Sequence, residues 1–194
     1  MKIQFAIISF AIIGIACHSP HSNQDTKLVK VRIDSSINKE YLDWNSLKIN
    51  GTIPLISSYS DLVNKLGKPD STSKPDSDEI SNSFYNKKFK YCYIKGLQFE
   101  KYNDTLVLRN IDFRKSNGLY INSNRAKISN ETTIDDFKKL FPDAAENNQL
   151  SGTDLDEYLS ISLSASRKHL NERWIFTFRW KDHRLIKLEY LIDI

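Results

Sequence analysis

Cysteine is almost missing from this chain, since its 194 residues include only Cys17 and Cys92. If Cys17 has a role of its own, Cys92 has no partner for an internal disulfide. We therefore expect the packing of a core to provide the stability. With 40% hydrophobic and 11% aromatic residues, the chain has enough apolar material to build one.

A strong excess of charge of one sign is also missing. The chain has 28 Lys and Arg against 24 Asp and Glu, a formal net charge of +4. Residues 1–16 carry a single charged side chain, Lys2, so the rest of the chain has 27 basic and 24 acidic residues, a net charge of +3. A balance this small argues against a dedicated nucleic-acid binder, and we expect no nucleic-acid partner.

Catalytic motifs are missing as well. The sequence has no glycine-rich phosphate loop, no nucleophile elbow, no Cys-x-x-Cys and no paired histidines beside an acid on a helical face. Eight residues have side chains that could catalyse a reaction or bind a metal: His18, His21, His169, His183, Cys92, Asp154, Asp156 and Glu157. Solvated histidines, a packed thiol and a polar loop explain them. The alternatives are a metal pair at His18 and His21, a general base at His183, calcium ligation by the acids and a reactive thiol at Cys92. We predict no enzymatic activity, cofactor or metal.

The start of the chain has the pattern of a secretion signal. Lys2 precedes an apolar run from Ile3 to Ala16, and the run ends just before Cys17. Because a membrane-spanning helix needs about 20 apolar residues, this run predicts a signal peptide at 1–16 rather than a permanent transmembrane segment.

The end of this run, followed at once by polar and turn-forming residues, resembles the lipobox of bacterial lipoproteins. The resemblance implies that Cys17 becomes the mature N-terminus and carries a diacylglycerol and an N-acyl chain such as palmitate, which together anchor it firmly in a membrane. With His18 rather than Asp after the cysteine, it also implies the outer membrane, with the domain facing the periplasm. Residues 17–27 are then the lipidated cysteine and a polar tether. The alternative is a secreted protein in which Cys17 is incidental.

A short helix with a defined start and end is predicted at 58–70. Ser58 and Asp61 have the spacing of a capping box, Gly67 supplies a left-handed C′ position, and Pro69 prevents the helix from continuing.

The same plan recurs at an offset of 74 residues. The predicted correspondences are Thr132 with Ser58, Asp135 with Asp61, Phe137 with Val63, and Leu140 with Leu66. This recurrence predicts a tandem domain.

Antiparallel strands are predicted after each helix by alternating apolar positions and short turns. In the first half they lie at 89–94, 97–102 and 105–113, where Arg109 breaks the alternation and predicts a β-bulge. In the second half one strand is predicted at 158–164. A second strand places four aromatic residues on one face: Trp174, Phe176, Phe178 and Trp180. A third strand places Ile186, Leu188, Tyr190 and Ile192 on one face. The sequence also predicts a strand at 28–34 and polar loops at 71–79 and 149–157. Asn50-Gly51 predicts a turn, and Pro54 after it predicts a sheet edge. The predicted fold is α+β, with two repeated units at 28–120 and 121–194, each a short helix packed on an antiparallel β-meander.

The chain combines a leader, a lipid-type cysteine, a tether, the turn Leu66-Gly67-Lys68-Pro69-Asp70 and a meander. This combination resembles the BamE-like and β-lactamase-inhibitor-like group of small envelope domains. The likeness covers 58–113 and, more loosely, 132–192. It implies a non-enzymatic module that binds other proteins through a sheet face or loops.

Three functions follow as hypotheses. The first is an outer-membrane lipoprotein, anchored through Cys17, that acts as a protein-binding or envelope-assembly module with an envelope protein as partner. The alternative is an inhibitor or immunity protein that blocks a secreted or envelope enzyme with a projecting loop at 71–79 or 149–157. The third is an enzyme or ligand carrier with an apolar pocket between helix and sheet.

The aromatic residues of the first half either fill the core or anchor a partner on the open sheet face: Phe84, Tyr85, Phe89, Tyr91, Tyr93, Phe99 and Tyr102.

Overall fold

The computed structural model describes residues 40–77, 79–80, 82–146, 149–153, 156–167 and 171–192, with the backbone alone at 149–153 and 156–157. Cys17 lies outside these ranges, as do the expected signal peptide, the expected tether and the strand expected at 28–34. The described residues form a mixed α/β fold with few helices and mostly antiparallel sheets. The α+β class expected from the sequence is confirmed at this level.

The described elements follow one another in a simple order. The strands are β1 (Lys48–Ile49), β2 (Ile53–Pro54), β3 (Ile56–Ser58), β4 (Ser71–Ser73), β5 (Lys90–Ile94), β6 (Leu97–Tyr102), β7 (Thr105–Asp112), β8 (Tyr120–Asn122), β9 (Lys127–Ser129), β10 (Gln149–Thr153), β11 (Asp156–Ser164), β12 (Glu172–Arg179) and β13 (Leu185–Ile192). The helices are α1 (Tyr59–Leu66), α2 (Ile134–Leu140) and α3 (Pro142–Glu146), and a 3₁₀ turn covers Trp44–Ser46.

The strands form a large and a small sheet. The large sheet has the order β10-β11-β12-β13-β7-β6-β5-β4, with β3 paired to the other end of β7. The small sheet has the order β2-β1-β8-β9, so Pro54 lies in an edge strand as predicted. The two meanders, β4 to β7 and β10 to β13, thus lie in one sheet and join where β7 pairs antiparallel with β13. The segments 71–79 and 149–157 were expected as loops, which is wrong in part because β4 and β10 pair at the two ends of the sheet.

One face of the large sheet is apolar and buried. A row of opposed residues runs across it, in order Ile161, Phe176, Leu188, Ile111, Leu97 and Ile94, and each is at most 1% exposed. Phe137 of α2 packs on this face, with its ring centroid 4.7 Å from that of Phe176. The expected aromatic core of β12 is confirmed except at Trp180, which is 46% exposed because β12 ends at Arg179.

Helix α1 begins and ends as predicted. The Ser58 hydroxyl accepts a hydrogen bond from the Asp61 N–H at 3.1 Å, and Gly67 ends the helix with φ of +97°. The carboxylate of Asp61 does not complete the expected capping box but forms an ion pair with Lys65 at 2.9 Å. Both ends of the helix are therefore fixed by the residues that the sequence indicated.

Helix α2 begins one residue later than predicted. Thr133, not Thr132, is the N-cap, and it forms a full capping box with Asp136. Thr132 is buried and accepts a hydrogen bond from the Ser129 N–H instead.

The offset of 74 between the two helices is therefore wrong, and an offset of 75 aligns their caps and their buried positions. The pairs at this offset are Ser58 with Thr133, Asp61 with Asp136, Leu62 with Phe137, and Leu66 with Phe141. At the offset of 74, buried Leu66 would correspond to Leu140, which is 38% exposed. Two adjacent threonines and two adjacent aspartates made both offsets fit the capping pattern, and burial distinguishes them.

Two β-bulges shift the pairing around the centre of the sheet. Gln98 pairs with Asn110 and Phe99 with Leu108, so Arg109 is the extra residue and the predicted bulge is confirmed. A second bulge at Ile186, between the pairs Thr177–Lys187 and Phe178–Leu185, was not expected.

Candidate functional site

The second face of the large sheet is open and polar. A row of opposed residues crosses it from β11 to β4, in order Ser162, Ile175, Glu189, Asn110, Gln98, Tyr93 and Ser71. Each of these side chains is half-buried or exposed, whereas the neighbouring row on the opposite face is buried. This open face is therefore available for contacts with other molecules.

The centre of the open face lies where the two meanders meet. Asn110 of β7 is opposite Glu189 of β13 on one side and Gln98 of β6 on the other. The Asn110 amide donates a hydrogen bond to the Gln98 carbonyl oxygen, and the Gln98 amide donates to the Tyr93 hydroxyl at 3.4 Å. The amides thus form a connected polar line across the centre of the sheet.

Two surface cavities flank this line. One has a volume of about 390 Å³ and lies towards Arg109, Tyr91 and Glu79. The other has a volume of about 550 Å³ and lies towards Asp112 and Lys187. Both are lined by Gln98 and Asn110, so they meet at the amides, and we call the combined depression the seam groove.

A buried ion pair lies beneath the first cavity. Nε of Arg109 is 3.1 Å from Oε1 of Glu100, and the two side chains are 14% and 1% exposed. The contact is an ion pair, and Oε1 accepts no hydrogen bond from the described residues. The other Glu100 oxygen accepts hydrogen bonds from the Phe84 N–H at 2.9 Å and from the Tyr102 hydroxyl. Burial raises the pKa of Glu100, while Tyr102, Arg109 and Phe84 act in the opposite direction. The Arg109 bulge places the guanidinium between this carboxyl and the cavity.

A second carboxylate approaches the same cavity from the segment before β5. The Tyr91 hydroxyl donates a hydrogen bond to Glu79 at 3.2 Å, and the other Glu79 oxygen accepts from the Asp76 N–H at 2.8 Å. Burial and the Glu79 carboxylate raise the pKa of Tyr91. Tyr91 therefore keeps its proton and holds Glu79 at the edge of the groove.

The second cavity is lined by charges that largely pair with one another. Asp112 forms an ion pair with Arg114 at 2.9 Å, and Lys187 forms one with Glu189 at 2.8 Å. Burial would raise the pKa of Asp112, but hydrogen bonds from Arg114 hold it below its usual range. This end of the groove is polar with little net charge.

Of the candidate chemical residues that the structure describes, Cys92 and His183 do not line this groove. Cys92 is fully buried on the apolar face, and burial raises the pKa of its thiol, as expected for a packed cysteine. His183 lies in the β12–β13 turn beside the Trp180 ring. Side chains at 156–157 are not described, and the remaining candidates lie outside the described residues: Cys17, His18, His21, Asp154 and His169.

The aromatic residues of the first half differ in burial, and a place in the core is confirmed for three of them. Phe89, Tyr91 and Phe99 are buried, whereas Tyr85 is exposed. The others, Phe84, Tyr93 and Tyr102, are half-buried.

The sequence did not indicate Glu100, Arg109 or Asn110 as a site. The one available signal was Arg109 itself, a charge at an apolar position of a strand. We interpreted it only as the mark of a bulge.

The part of the chain that the structure describes shows no group of three or more His, Cys, Asp or Glu side chains suited to a metal ion. None of its helices has the length and apolarity needed to cross a membrane. The chain matches no protein-family model, no curated protein and no solved structure.

Proposed function

We propose that this protein is a non-enzymatic protein-binding module of the bacterial envelope that docks a partner on the open face of its large sheet. The observation that carries the proposal is the seam groove, which lies on a row of half-buried or exposed side chains that crosses the large sheet from β4 to β11. This row and the groove include Tyr, Ser, Asn and Arg side chains. Such residues adapt well to a protein partner through hydrogen bonds and flat aromatic contacts.

The proposed location rests on the leader. Cys17 would carry the lipid, residues 17–27 would form the tether, and the domain would face the periplasm from the outer membrane. Mass spectrometry of the mature N-terminus tests this part: a diacylglyceryl and N-acyl modification on Cys17 supports it, and an unmodified Cys17 or cleavage elsewhere contradicts it.

We further propose that the two meanders are repeated units of one ancestral module, in keeping with the resemblance to BamE-like and β-lactamase-inhibitor-like domains. Each meander follows a capped short helix, and the caps and buried positions of α1 and α2 align at the offset of 75. The antiparallel pairing of β7 with β13, the last strand of each meander, is compatible with a twofold arrangement of two such units.

An inhibitor or immunity protein is the alternative form of this proposal. The segments expected to project from such a protein, 71–79 and 149–157, include strands paired in the sheet. We propose that an inhibitor would use the seam groove as well, so the same substitutions test both.

The test is affinity capture from crosslinked envelopes with the full-length lipoprotein and two variants. Asn110→Arg places a long cation at the centre of the groove, and Asn122→Arg makes the same change on the exposed face of the small sheet. We expect one reproducible partner with the unmodified protein and with Asn122→Arg, and its loss with Asn110→Arg. Equal capture by all three proteins would contradict docking on the open face, as would the absence of any reproducible partner.

A further inference from the structure

Another surface cavity, near the β4 end of the large sheet, has a basic lining. It has a volume of about 550 Å³ and is lined by Thr72, Lys88, Phe89, Lys90, Lys101 and Asn103. None of these described residues carries a carboxylate, so the charged part of the lining consists of lysines. Lys90 of β5 and Lys101 of β6 lie directly opposite each other. They share a face with buried Cys92 and are therefore on the opposite side of the sheet from the seam groove.

The two opposed lysines repel each other, because like charges directly opposite on antiparallel strands are destabilising. No ion pair among the described residues includes Lys88, Lys90 or Lys101. Nζ of Lys101 lies 3.4 Å from the centre of the Tyr59 ring, which attracts the ammonium but has no net charge. The charges of the cavity are therefore left for an anion from outside the described residues to neutralise.

The hydrogen-bonding groups of the cavity favour an anion with several acceptor atoms. The ammonium groups of the lysines can only donate, and the side chains of Thr72 and Asn103 can donate as well. An anion with a single charge would leave most of the lysine charge in place. A phosphate monoester has about two negative charges at pH 7 and three acceptor oxygens, and lysine is a common phosphate ligand. The volume is within the range of sites for small molecules, about 300–1,000 Å³.

We propose that this cavity binds the phosphate group of a phosphomonoester, with phosphate oxygens accepting hydrogen bonds from Lys90 and Lys101 and with Lys88 adding to the attraction. The phosphate group belongs either to a soluble compound or to a lipid headgroup, since both offer the same charge and acceptors. The site is independent of Cys17 and of a protein partner on the open face.

The test is an NMR titration of the isotope-labelled full chain with glycerol 3-phosphate, in a nonionic detergent and at constant ionic strength. We expect the amide resonances of Thr72, Lys90 and Lys101 to shift, with a Kd on the order of 1 mM. Acetate, which has a single charge, should bind about tenfold more weakly.

Two matched variants assign the binding to this cavity. Replacing Lys90 and Lys101 together with Gln removes two charges from the lining, and we expect a loss of affinity of about tenfold or more. Replacing Lys48 and Lys127 with Gln removes the same charge from an exposed row of the small sheet and should leave the affinity close to unchanged. Circular dichroism melting checks that both variants are folded. If the cavity variant is not, Lys88→Gln at an exposed position replaces it, with an expected loss of about threefold.

A second arm of the experiment distinguishes the two sources of the phosphate. Micelles of the same detergent doped with phosphatidate present the phosphomonoester as a lipid headgroup, and micelles doped with phosphatidylcholine are the control. Tighter binding of phosphatidate than of glycerol 3-phosphate, at equal phosphate concentration, assigns the site to a lipid headgroup. The reverse order assigns it to a soluble compound, and either order supports the proposed chemistry.

Three results would overturn the proposal. One is the absence of shifts at the cavity up to about 20 mM glycerol 3-phosphate. Another is acetate that binds as tightly as the phosphomonoester. The last is a folded cavity variant that loses no more affinity than the small-sheet variant, which would show only a general attraction to lysines. None of these bears on the capture of a protein partner, which is measured separately.

Discussion

Asn110 and Glu189 lie directly opposite each other at the point where the two meanders meet. They belong to strands that are far apart in the chain and are brought together only by the pairing of β7 with β13. The groove on the open face exists because of this pairing, since β6 and β7 provide one wall and β13 the other. The position of Asn110 in both cavities makes it the natural place to perturb the proposed site.

The start of α2 can be tested by comparing neighbouring residues. Replacing Thr133 with Ala removes the hydroxyl that accepts from the Asp136 N–H, and we expect a loss of about 1 kcal/mol in the free energy of unfolding by urea. Asp136→Ala should also destabilise the protein, whereas Asp135→Ala, an exposed change outside the capping box, should leave its stability close to unchanged. A larger loss for Asp135→Ala than for Asp136→Ala would restore the offset of 74.

The β5–β6 turn should be intolerant of a side chain at Gly96. Its φ is +83°, and a Cβ there would lie 2.7 Å from the Asp112 carbonyl oxygen. Gly118 is the control, because its φ is +75° but a Cβ there would meet no atom within 4 Å. We expect Gly118→Ala to cost about 1 kcal/mol from the left-handed backbone alone, and Gly96→Ala to cost clearly more. Equal losses in chemical denaturation would show that Asp112 moves aside freely.

Alkaline pH should destabilise the protein in part through Tyr102. Burial, together with the hydrogen bond to Glu100, raises the pKa of Tyr102 to about 12. Because the folded protein holds this proton more tightly than the unfolded chain, whose tyrosines titrate near pH 10, the stabilisation is complete below about pH 10 and is lost as the pH rises towards 12. Urea unfolding at a series of pH values should therefore show a shallower decline for Tyr102→Phe. A constant difference in stability between the two proteins across this range would contradict the raised pKa.

The proposed lipid anchor gives a prediction that does not involve the folded domain. Replacing Cys17 with Ala removes the thiol that would carry the diacylglycerol. We expect the variant to leave the membrane fraction and to lose the acyl mass in mass spectrometry, while the domain stays folded. Retention of the Cys17→Ala variant in membranes, at the level of the unmodified protein, would show that something other than acylation holds it there.

Local patterns of the sequence were sufficient to predict much of the fold. The turns at Lys95-Gly96 and Asn103-Asp104 determined the pairing of β5, β6 and β7, and the Ser58 cap and Gly67 determined both ends of α1. These features depend on neighbours within a few residues, which a single sequence displays directly.

The features that were missed depend on residues distant in the chain. β4 is a short polar strand whose order comes from pairing with β5, so its own composition resembles a loop. The role of Arg109 depends on Glu100, which faces it only after two strands have paired around a bulge. The seam groove depends on the contact of β7 with β13, and no local pattern encodes that contact.

The most direct test of docking on the open face is a photo-crosslinking amino acid placed at position 110 of the protein in living cells, with position 122 as the matched exposed control. The account predicts that illumination yields a discrete adduct with one envelope protein from position 110 and none from position 122. Adducts of the same protein from both positions, or from position 122 alone, would contradict it.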